Sequence, residues 1–210
     1  MSTGNDIVAL GATDRERTCR YRFYSRILSP AELSLYDRVM ATSLSFHHFV
    51  WLLWSIKESA YKYFSRSEQD LVFAPLKIGV ALVTPCDGFF EGLIPWGSLL
   101  LYSRSFATGE TIMTIVSRER DFSDTRWGLH RIADPKYASQ SSEVRIFALD
   151  SLAAALPDIS LRIVKAPGGP PVLWGKEYPT DIPISFAHHD HYVAWCYRLN
   201  SSSNRKSAAN

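Results

Sequence analysis

The stretch V-W-L-L-W-S-I-K-E-S-A-Y-K, residues 50–62, changes abruptly from apolar to charged. Its apolar part ends at Trp54, and its charged part contains Lys57, Glu58 and Lys62. In a helix, Trp54, Glu58 and Lys62 are four residues apart and lie on one face. A carboxylate and an ammonium group then lie side by side at the polar end of a buried helix. A carboxylate can bind a hard cation such as Mg²⁺, and a lysine can bind phosphate oxygens.

The residues around this pair are more specific than the pair itself. A Glu–Lys pair four residues apart commonly stabilises a surface helix and needs no other role. The segment W-S-I-K-E-S-A-Y-K, residues 54–62, nevertheless resembles the signature W-x-x-K-E-[SA]-x-x-K of the 4'-phosphopantetheinyl transferases. The resemblance implies a transferase of the holo-acyl-carrier-protein synthase type. Such an enzyme moves 4'-phosphopantetheine from coenzyme A to a serine of an apo acyl or peptidyl carrier protein, as in fatty acid biosynthesis, and releases 3',5'-adenosine bisphosphate.

Four further segments resemble motifs of this family. Gly4–Val8 resembles the G-x-D-I-V strand of its short carrier-protein synthases, and Ser29–Glu32 resembles the family segment that ends in Glu. Ile184–His188 resembles the S-x-S-H strand whose Ser and His contact the coenzyme A phosphates. Gly169–Pro171 stands where the family has G-K-P. The resemblance covers most of residues 4–198, and its motifs are more specific in the first half than in the second.

Two positions depart from the family pattern. Ala187 replaces the motif Ser and Pro170 replaces the motif Lys, so two phosphate contacts are missing. These departures slightly favour an alternative, a catalytically degenerate relative that binds coenzyme A or a carrier protein without turnover. The joint presence of Asp6, Glu58 and Lys62 favours an enzyme, because a protein that only binds does not need a metal site.

The resemblance implies the roles of the first-half residues. Asp6 and Glu58 are the expected ligands of a Mg²⁺ ion that bridges the pyrophosphate, since Mg²⁺ prefers a few carboxylates and waters. Glu58 is also expected to accept the serine proton, directly or through a water. Lys62 is expected to hold a phosphate oxygen, with assistance from Lys57. The catalytic residues implied are therefore Glu58 and Lys62.

The second half is expected to bind the rest of coenzyme A. Arg145 is assigned to the terminal phosphate, because the guanidinium fork donates two parallel hydrogen bonds; a surface helix residue is the alternative. His188 is assigned to a phosphate, although a lone strand histidine is often structural. Ser185 and Lys165 are expected to compensate for Ala187.

The cluster H-H-D-H, residues 188–191, indicates an alternative class of site, a transition-metal centre. Together with His47 and His48 it could form a transition-metal hydrolase site. The sequence has no H-x-x-x-H or H-E-x-x-H spacing, which argues against that site. It also has no P-loop, no G-x-G-x-x-G and no G-x-S-x-G, so nucleotide-triphosphate, dinucleotide and serine-hydrolase functions have no support.

Composition and charge limit the partners and the compartment. The net charge of the 210 residues is only +2, which predicts no nucleic-acid partner. Cys19, Cys86 and Cys196 are far apart and have no C-x-x-C spacing, as expected for reduced thiols of a cytoplasmic protein. The N-terminus has no signal-peptide pattern, and the longest apolar stretch falls short of the roughly 20 residues that span a bilayer.

A basic run follows the first predicted strand. It contains five arginines and only two acids, Asp14 and Glu16. We expect Arg15, Arg22 and Arg26 in this run to contact an acidic carrier protein. An ordinary solvated face is the alternative.

The order of the motifs predicts an α+β fold of two similar halves, a pseudo-dimer with the active site in the cleft between them. The first half is residues 1–125, the second half is residues 126–200, and residues 201–210 form a disordered tail. Larger relatives have the Arg helix and the S-H strand before G-x-D, so this chain resembles a permuted two-half enzyme, expected to be a monomer. A short synthase with a long insertion after the signature helix is the alternative.

Periodicity and turn residues predict the individual elements. In chain order they are a strand at Asp6–Leu10, a helix capped by Ser29 with Glu32 in a capping box, a helix from Ser45 to Phe64, strands within Leu71–Val83, Gly92–Phe106 and Thr111–Val116, a polar irregular junction at Arg118–Gln140, a helix from Ser141 or Ser142 to Leu156, a strand at Ser160–Lys165, a turn at Gly168–Pro171, and a strand or hairpin at Ile184–Leu199.

Overall fold

The computed structural model describes residues 2–68, 70–165 and 169–199. These residues form ten strands in two five-stranded antiparallel sheets, with five α-helices. The predicted α+β class is therefore confirmed. The predicted tail at 201–210 and the first residue of the predicted turn, Gly168, lie outside the described residues.

The secondary-structure elements have the following bounds. The strands are β1 (Gly4–Ala9), β2 (Leu82–Cys86), β3 (Phe89–Trp96), β4 (Leu99–Ala107), β5 (Thr111–Ser117), β6 (Thr125–Arg131), β7 (Arg162–Lys165), β8 (Pro171–Trp174), β9 (Pro179–His189) and β10 (Tyr192–Arg198). The helices are α1 (Arg15–Thr18), α2 (Tyr21–Tyr24), α3 (Pro30–Leu35), α4 (Phe46–Phe64) and α5 (Tyr137–Ala155). Short 3-10 turns at Leu10–Ala12 and Pro75–Lys77 and a π-helical turn at Tyr36–Met40 complete them.

The two sheets share one topology. The strand order is β1-β5-β4-β3-β2 in the first sheet and β6-β10-β9-β8-β7 in the second. Each unit has a first strand, then a helix of 19 residues, then a four-stranded meander whose last strand pairs with the first strand. Thus α4 and α5 occupy equivalent places, although no repeat is visible in the sequence.

Helix α4 is the central helix of the first unit. Ser45 caps it by accepting a hydrogen bond from the His48 backbone N–H at 3.3 Å, and the predicted bounds are confirmed. Its apolar face is fully buried against the first sheet. At Gly4 in β1, a Cβ atom would lie 2.0 Å from the Ser59 carbonyl oxygen. The motif glycine therefore permits the close approach of β1 to α4.

Helix α3 has the predicted capping box. The Glu32 backbone N–H donates to Ser29 Oγ at 3.3 Å, and the Ser29 backbone N–H donates to Glu32 Oε2 at 2.8 Å. Pro30 occupies the first helical position, where its missing N–H costs no hydrogen bond.

Strand β1 also joins the two units. One of its edges pairs with β5, and its other edge faces β9. The backbone N–H of Asn5 donates to Ser185 Oγ at 3.3 Å, and that of Ala9 donates to His189 Nδ1 at 3.1 Å. Beyond the end of α4, Arg66 donates to the backbone carbonyl of Ile184 in β9. The first two contacts satisfy backbone donors of β1, and the third satisfies a backbone acceptor of β9.

Some predicted elements were wrong. Most of Leu71–Val83 is irregular or 3-10, and β2 begins only at Leu82. The junction predicted at Arg118–Gln140 contains β6, which was missed because several of its side chains are exposed and it lacks a clean apolar alternation. The hairpin predicted near the C-terminus is confirmed as β9 and β10.

The helices and the cysteines bear on the expectations about the membrane and about reduced thiols. Within the described ranges, no helix has the length and apolar character needed to cross a membrane. The three cysteines are free thiols, with Cys196 buried and Cys19 exposed.

Candidate active site

Strand β1 and helix α4 bring Asp6, Glu58 and Lys62 together. The Lys62 Nζ atom lies 3.2 Å from Asp6 Oδ1 and 3.3 Å from Glu58 Oε1. The Asp6 side chain is almost fully buried, whereas those of Glu58 and Lys62 are partly exposed. The predicted neighbours on one face of α4 therefore meet the carboxylate of β1 at the surface of the first unit.

The three charges perturb one another. Burial, reinforced by the negative charge of Glu58, raises the pKa of Asp6 from 3.8 to about 7, although Lys62 acts in the opposite direction. Burial lowers the pKa of Lys62, but Asp6 and Glu58 oppose this, and the net result is a pKa above its usual value. One ammonium group thus faces two carboxyl groups. When both carboxyl groups are ionised, the cluster has a net negative charge that favours a further cation.

These residues fit a magnesium ion. Asp6 Oδ2 is buried and accepts no hydrogen bond from the described residues, so this oxygen lacks a partner. Oxygen donors from one or two carboxylates, completed by water and phosphate, are the ligand set that Mg²⁺ prefers. In the described part of the chain, no three His, Cys, Asp or Glu side chains form a metal-binding group. A two-carboxylate site is therefore the form of metal centre that this region can supply.

Lys57 lies elsewhere, contrary to its predicted role at the coenzyme A phosphates. Its Nζ atom is buried, donates to the Ile27 carbonyl at 2.6 Å and lies 2.7 Å from Glu32 Oε2. Burial lowers the pKa of Lys57, and the negative charge of Glu32 opposes that shift. The other oxygen of Glu32 accepts from the Val80 backbone N–H at 2.8 Å. Lys57 and Glu32 therefore form a buried pair that holds α4, α3 and the segment before β2 together.

His188 of the second unit lies within the electrostatic field of the first-unit cluster. Burial lowers its pKa, the positive charges of Lys62 and Lys165 lower it further, and Glu58 opposes them. Its ring packs edge-on against Tyr137, with 5.4 Å between centroids. His188 is thus within reach of charges from both units, namely those of Lys62 and Glu58 in the first and Lys165 in the second. Sequence reasoning missed Tyr137, for which no local signal exists.

Arg145 has a different environment from the one predicted. Helix α5 begins at Tyr137, four residues before the predicted cap Ser141, so Arg145 lies in the third helical turn rather than just after the cap. Its guanidinium group donates to the Ser141 carbonyl and hydroxyl. Tyr137, Ser141 and Arg145 follow each other at intervals of four along one stripe of α5. Arg145 is therefore on the helix stripe that starts beside His188, and its side chain contacts its own helix.

Ser185 does not have the exposure that a phosphate contact needs. It is 4% exposed, and its hydroxyl accepts the hydrogen bond from Asn5 described above. Its prediction as a coenzyme A contact is therefore not supported by its position. His189, which sequence reasoning grouped with a metal cluster, instead serves β1 through Ala9.

His47 and His191, which the alternative metal site would bring together, have different partners in the structure. His47 Nε2 lies 2.9 Å from Thr13 Oγ1, and His191 Nδ1 lies 3.1 Å from the Ile132 carbonyl oxygen. His47 and His191 thus have separate partners, and the described residues include no His-rich metal group. This arrangement removes the support for the transition-metal hydrolase alternative.

A groove of about 610 Å³ extends along α4 beside the cluster. Trp51, Trp54 and Phe73 form its aromatic wall, Arg17 and Arg26 line it, and His189 lies at its boundary. Trp54 is one helical turn before Glu58, so the groove reaches the face of α4 that carries Glu58. Sequence reasoning placed Trp54 on this face but did not predict the groove.

The predicted carrier-binding arginines are exposed. Arg15 begins α1, Arg22 lies in α2, and Arg26 follows α2. Within residues 2–68, 70–165 and 169–199 these three side chains form no ion pair, whereas Arg20 pairs with Glu16 at 3.9 Å. The basic run therefore offers charge to a partner beside the groove.

Comparison with known proteins agrees with the first-half motifs. No curated protein and no solved structure matched the chain significantly. Residues 85–210, which include the second sheet, lie outside the family match. That match is the family model of the 4'-phosphopantetheinyl transferase superfamily over residues 2–84, and it confirms the predicted resemblance for the segment that carries Asp6, Glu58 and Lys62.

Proposed function

We propose that this protein transfers 4'-phosphopantetheine from coenzyme A to a serine of an apo carrier protein, with Mg²⁺ as the cofactor. The observation that carries the proposal is the convergence of Asp6, Glu58 and Lys62 within the segment that matches the superfamily. The holo-acyl-carrier-protein synthase type, a role in fatty acid biosynthesis and a cytoplasmic location are parts of the same proposal.

Each first-unit residue has a defined task in this reaction. The carrier serine Oγ attacks the β-phosphate of coenzyme A, a new P–O bond forms, and the P–O bond to the leaving 3',5'-adenosine bisphosphate breaks. The serine proton passes to Glu58, directly or through a water. Asp6 and Glu58 would hold Mg²⁺, which supplies charge neutralisation to the pyrophosphate. Lys62 binds a phosphate oxygen and helps to align it for displacement.

The second unit is proposed to bind the adenosine bisphosphate side of coenzyme A. The charges of Lys62 and Lys165 both act on His188, which supports this role for His188 and Lys165. Arg145 would reach the 3'-phosphate after its guanidinium group leaves Ser141, which requires only rotation of a flexible side chain.

We propose that residues 1–125 and 126–200 are the two halves of a pseudo-dimer with the active site in the cleft between them. Their common strand order and equivalent 19-residue helices support this proposal. The hydrogen bonds from Asn5 and Ala9 of β1 to Ser185 and His189, on either side of Asp6 in the strand, support a cleft at this position. A pseudo-dimer already contains both halves of the site, so a monomer is the proposed state.

The partner proposed for the basic run is an acidic carrier protein. Arg15, Arg22 and Arg26 expose positive charge, and Arg26 lines the groove that reaches the face of α4 carrying Glu58. A carrier that docks here would present its serine to the metal site. Complementary charge of this kind mainly accelerates and orients association.

Mass spectrometry of apo acyl and peptidyl carrier proteins, incubated with the protein, coenzyme A and Mg²⁺, tests the proposed reaction. We expect one 4'-phosphopantetheine group on the carrier serine, and none with Glu58→Ala or Asp6→Ala. Glu177→Ala is the matched control, because Glu177 is an exposed carboxylate outside the cluster. Full activity of Glu58→Ala in excess Mg²⁺ would remove Glu58 from the mechanism.

Binding without turnover is the alternative function. Ala187, Pro170 and the buried position of Ser185 together leave fewer phosphate contacts than the family pattern provides. The same incubation separates the two functions. Coenzyme A binding by calorimetry, together with no modification of any carrier in the panel, would favour the binding protein.

A further inference from the structure

Lys62 occupies the position from which a cation neutralises both carboxylates. In the described part of the chain, every ion pair of Asp6 and of Glu58 is made with Lys62. The lysine thus stands in for a metal ion in the metal-free protein. If a metal ion uses the same carboxylates, Lys62 and the metal ion compete for them.

The ammonium group of Lys62 neutralises the two carboxylates only in part. A single ammonium charge faces two carboxylates, and Asp6 Oδ2 is buried without a hydrogen-bond partner in the described structure. An unpartnered buried carboxylate oxygen is costly. A divalent cation would neutralise both carboxylates and could give this oxygen a ligand bond, so it has an advantage over the ammonium group.

Lys62 can leave the carboxylates without disturbing the core. Its side chain is 24% exposed, whereas that of Lys57 is 1% exposed and held by two buried acceptors. A lysine side chain is flexible, and its ammonium group is readily hydrated. The charge of Lys62 acts on His188, which marks the side on which phosphates are proposed to bind.

We infer that Lys62 is a displaceable surrogate cation: metal binding expels its ammonium group from Asp6 and Glu58, which frees it to bind a coenzyme A phosphate. The inference rests on the proposed function, because it assigns the metal ion to these carboxylates. It explains how one side chain can contact carboxylates in the free protein and phosphate in the substrate complex. A fixed brace, which holds the two carboxylates at the correct spacing for the metal, is the competing role for Lys62.

The two roles predict opposite effects on metal affinity. We would measure Mn²⁺ binding without coenzyme A, by the electron paramagnetic resonance signal of free Mn²⁺, for the unmodified protein and for Lys62→Met. Displacement predicts at least about 10-fold tighter binding by the variant, since a nearby unit charge that repels the metal is removed. A brace predicts weaker or unchanged binding. Lys77→Met is the control, because it removes the same charge from an exposed turn, and we expect it to change the affinity by less than about twofold.

Chemical reactivity of Lys62 tests the displacement itself and requires no variant. Peptide mass spectrometry would follow acetylation of Lys62 by an amine-specific reagent. We expect faster acetylation with Mg²⁺ than without it, and protection again when coenzyme A is added. An acetylation rate that does not respond to Mg²⁺, or Mn²⁺ binding by Lys62→Met that is no tighter than that of the unmodified protein, would overturn the inference while leaving the metal site in place. Failure of both proteins to bind Mn²⁺ would overturn the proposed metal site as well.

Discussion

The Lys57 Nζ atom lies 2.7 Å from Glu32 Oε2, and both side chains are 1% exposed. The next residue, Glu58, faces in another direction and pairs with Lys62 at 3.3 Å. Adjacent residues of the signature therefore serve different purposes: Lys57 joins the core to α3, and Glu58 belongs to the candidate site. The K-E dipeptide of the signature combines a structural residue with a proposed catalytic one.

Lys57→Met should destabilise the protein strongly. The methionine fills similar space but leaves Glu32 buried without its counter-charge, which typically costs about 3–5 kcal/mol. Urea unfolding followed by circular dichroism measures the loss. The double variant Lys57→Met with Glu32→Gln should be less destabilised than Lys57→Met alone, because no uncompensated charge remains. A loss below about 1 kcal/mol in the single variant would contradict the buried pair.

Asp6→Asn should become relatively more stable than the unmodified protein as the pH rises in the absence of divalent cations. The pKa of Asp6 in the folded protein is raised from 3.8 to about 7, so its carboxyl group contributes stability that is fully present below pH 3.8. That contribution is lost as the pH rises through about 7, by at most about 1.4 kcal/mol for each pH unit. Asparagine does not ionise and avoids this loss.

Urea unfolding in a chelator, from about pH 4 to about pH 8, would measure the difference between the two proteins. Added Mg²⁺ should reduce the difference at the upper end, because a bound metal favours the ionised carboxylate. A difference that does not vary with pH would show that Asp6 titrates normally. Asp150→Asn, at an exposed position of α5, is a suitable control and should show no comparable trend.

Gly4→Ala should lower both stability and transfer activity. The new Cβ atom would lie 2.0 Å from the Ser59 carbonyl oxygen, so β1 and α4 must move apart. Overpacking of this kind costs about 1–3 kcal/mol, and the movement would also separate Asp6 from Glu58. Thermal unfolding and the carrier assay measure the two effects. Gly79→Ala has no atom within 4 Å of its Cβ and should match the unmodified protein.

Local signals made α4 and the capping box predictable from the sequence. Ser45 and Ser29 are standard cap residues, and the apolar spacing of α4 fixes which face is buried. The burial of Lys57 was not predictable, because its partner Glu32 is 25 residues away and the neighbours of Lys57 in the sequence are equally polar. Strand β6 was missed for a related reason, since pairing with β10 stabilises a segment whose own pattern is only partly apolar.

In the candidate site too, local contacts were predictable from the sequence and contacts between distant segments were not. The Glu58–Lys62 pair follows from helix geometry, and the position of Asp6 came from the resemblance. Ser185 and His189 accept hydrogen bonds from the backbone of β1, and these contacts depend on how the two sheets meet. No short sequence motif encodes that arrangement. Arg145 was placed incorrectly in its helix because Lys136, which precedes the first helical residue, makes no side-chain cap that would have marked the start.

Arg145→Ala should weaken binding of coenzyme A more than binding of dephospho-coenzyme A. Arg145 is proposed to contact the 3'-phosphate, which dephospho-coenzyme A lacks. Loss of a charged hydrogen bond should cost about 1.5–3 kcal/mol with coenzyme A only. Calorimetry with both ligands measures the effect, and Arg162→Ala on exposed β7 is the control. Equal losses for the two ligands would show that Arg145 contacts another part of coenzyme A or acts only through α5.

Reversing two charges of the basic run, Arg15→Glu with Arg22→Glu, should raise the carrier KM with little change in kcat. Both side chains are exposed, and neither belongs to the metal cluster; Arg17 and Arg26 of the same run line the groove along α4. Single surface pairs contribute only about 0–1 kcal/mol, but several together steer association, so the carrier KM should also rise with salt more than the coenzyme A KM does. Lys77→Glu with Lys176→Glu changes the net charge equally at exposed positions outside the run and should leave the carrier KM nearly unchanged. Steady-state transfer assays at several salt concentrations measure these constants. An unchanged carrier KM in the arginine double variant would move the docking surface away from this run, and the exposed positions of 118–131 would then be tested by the same charge reversal.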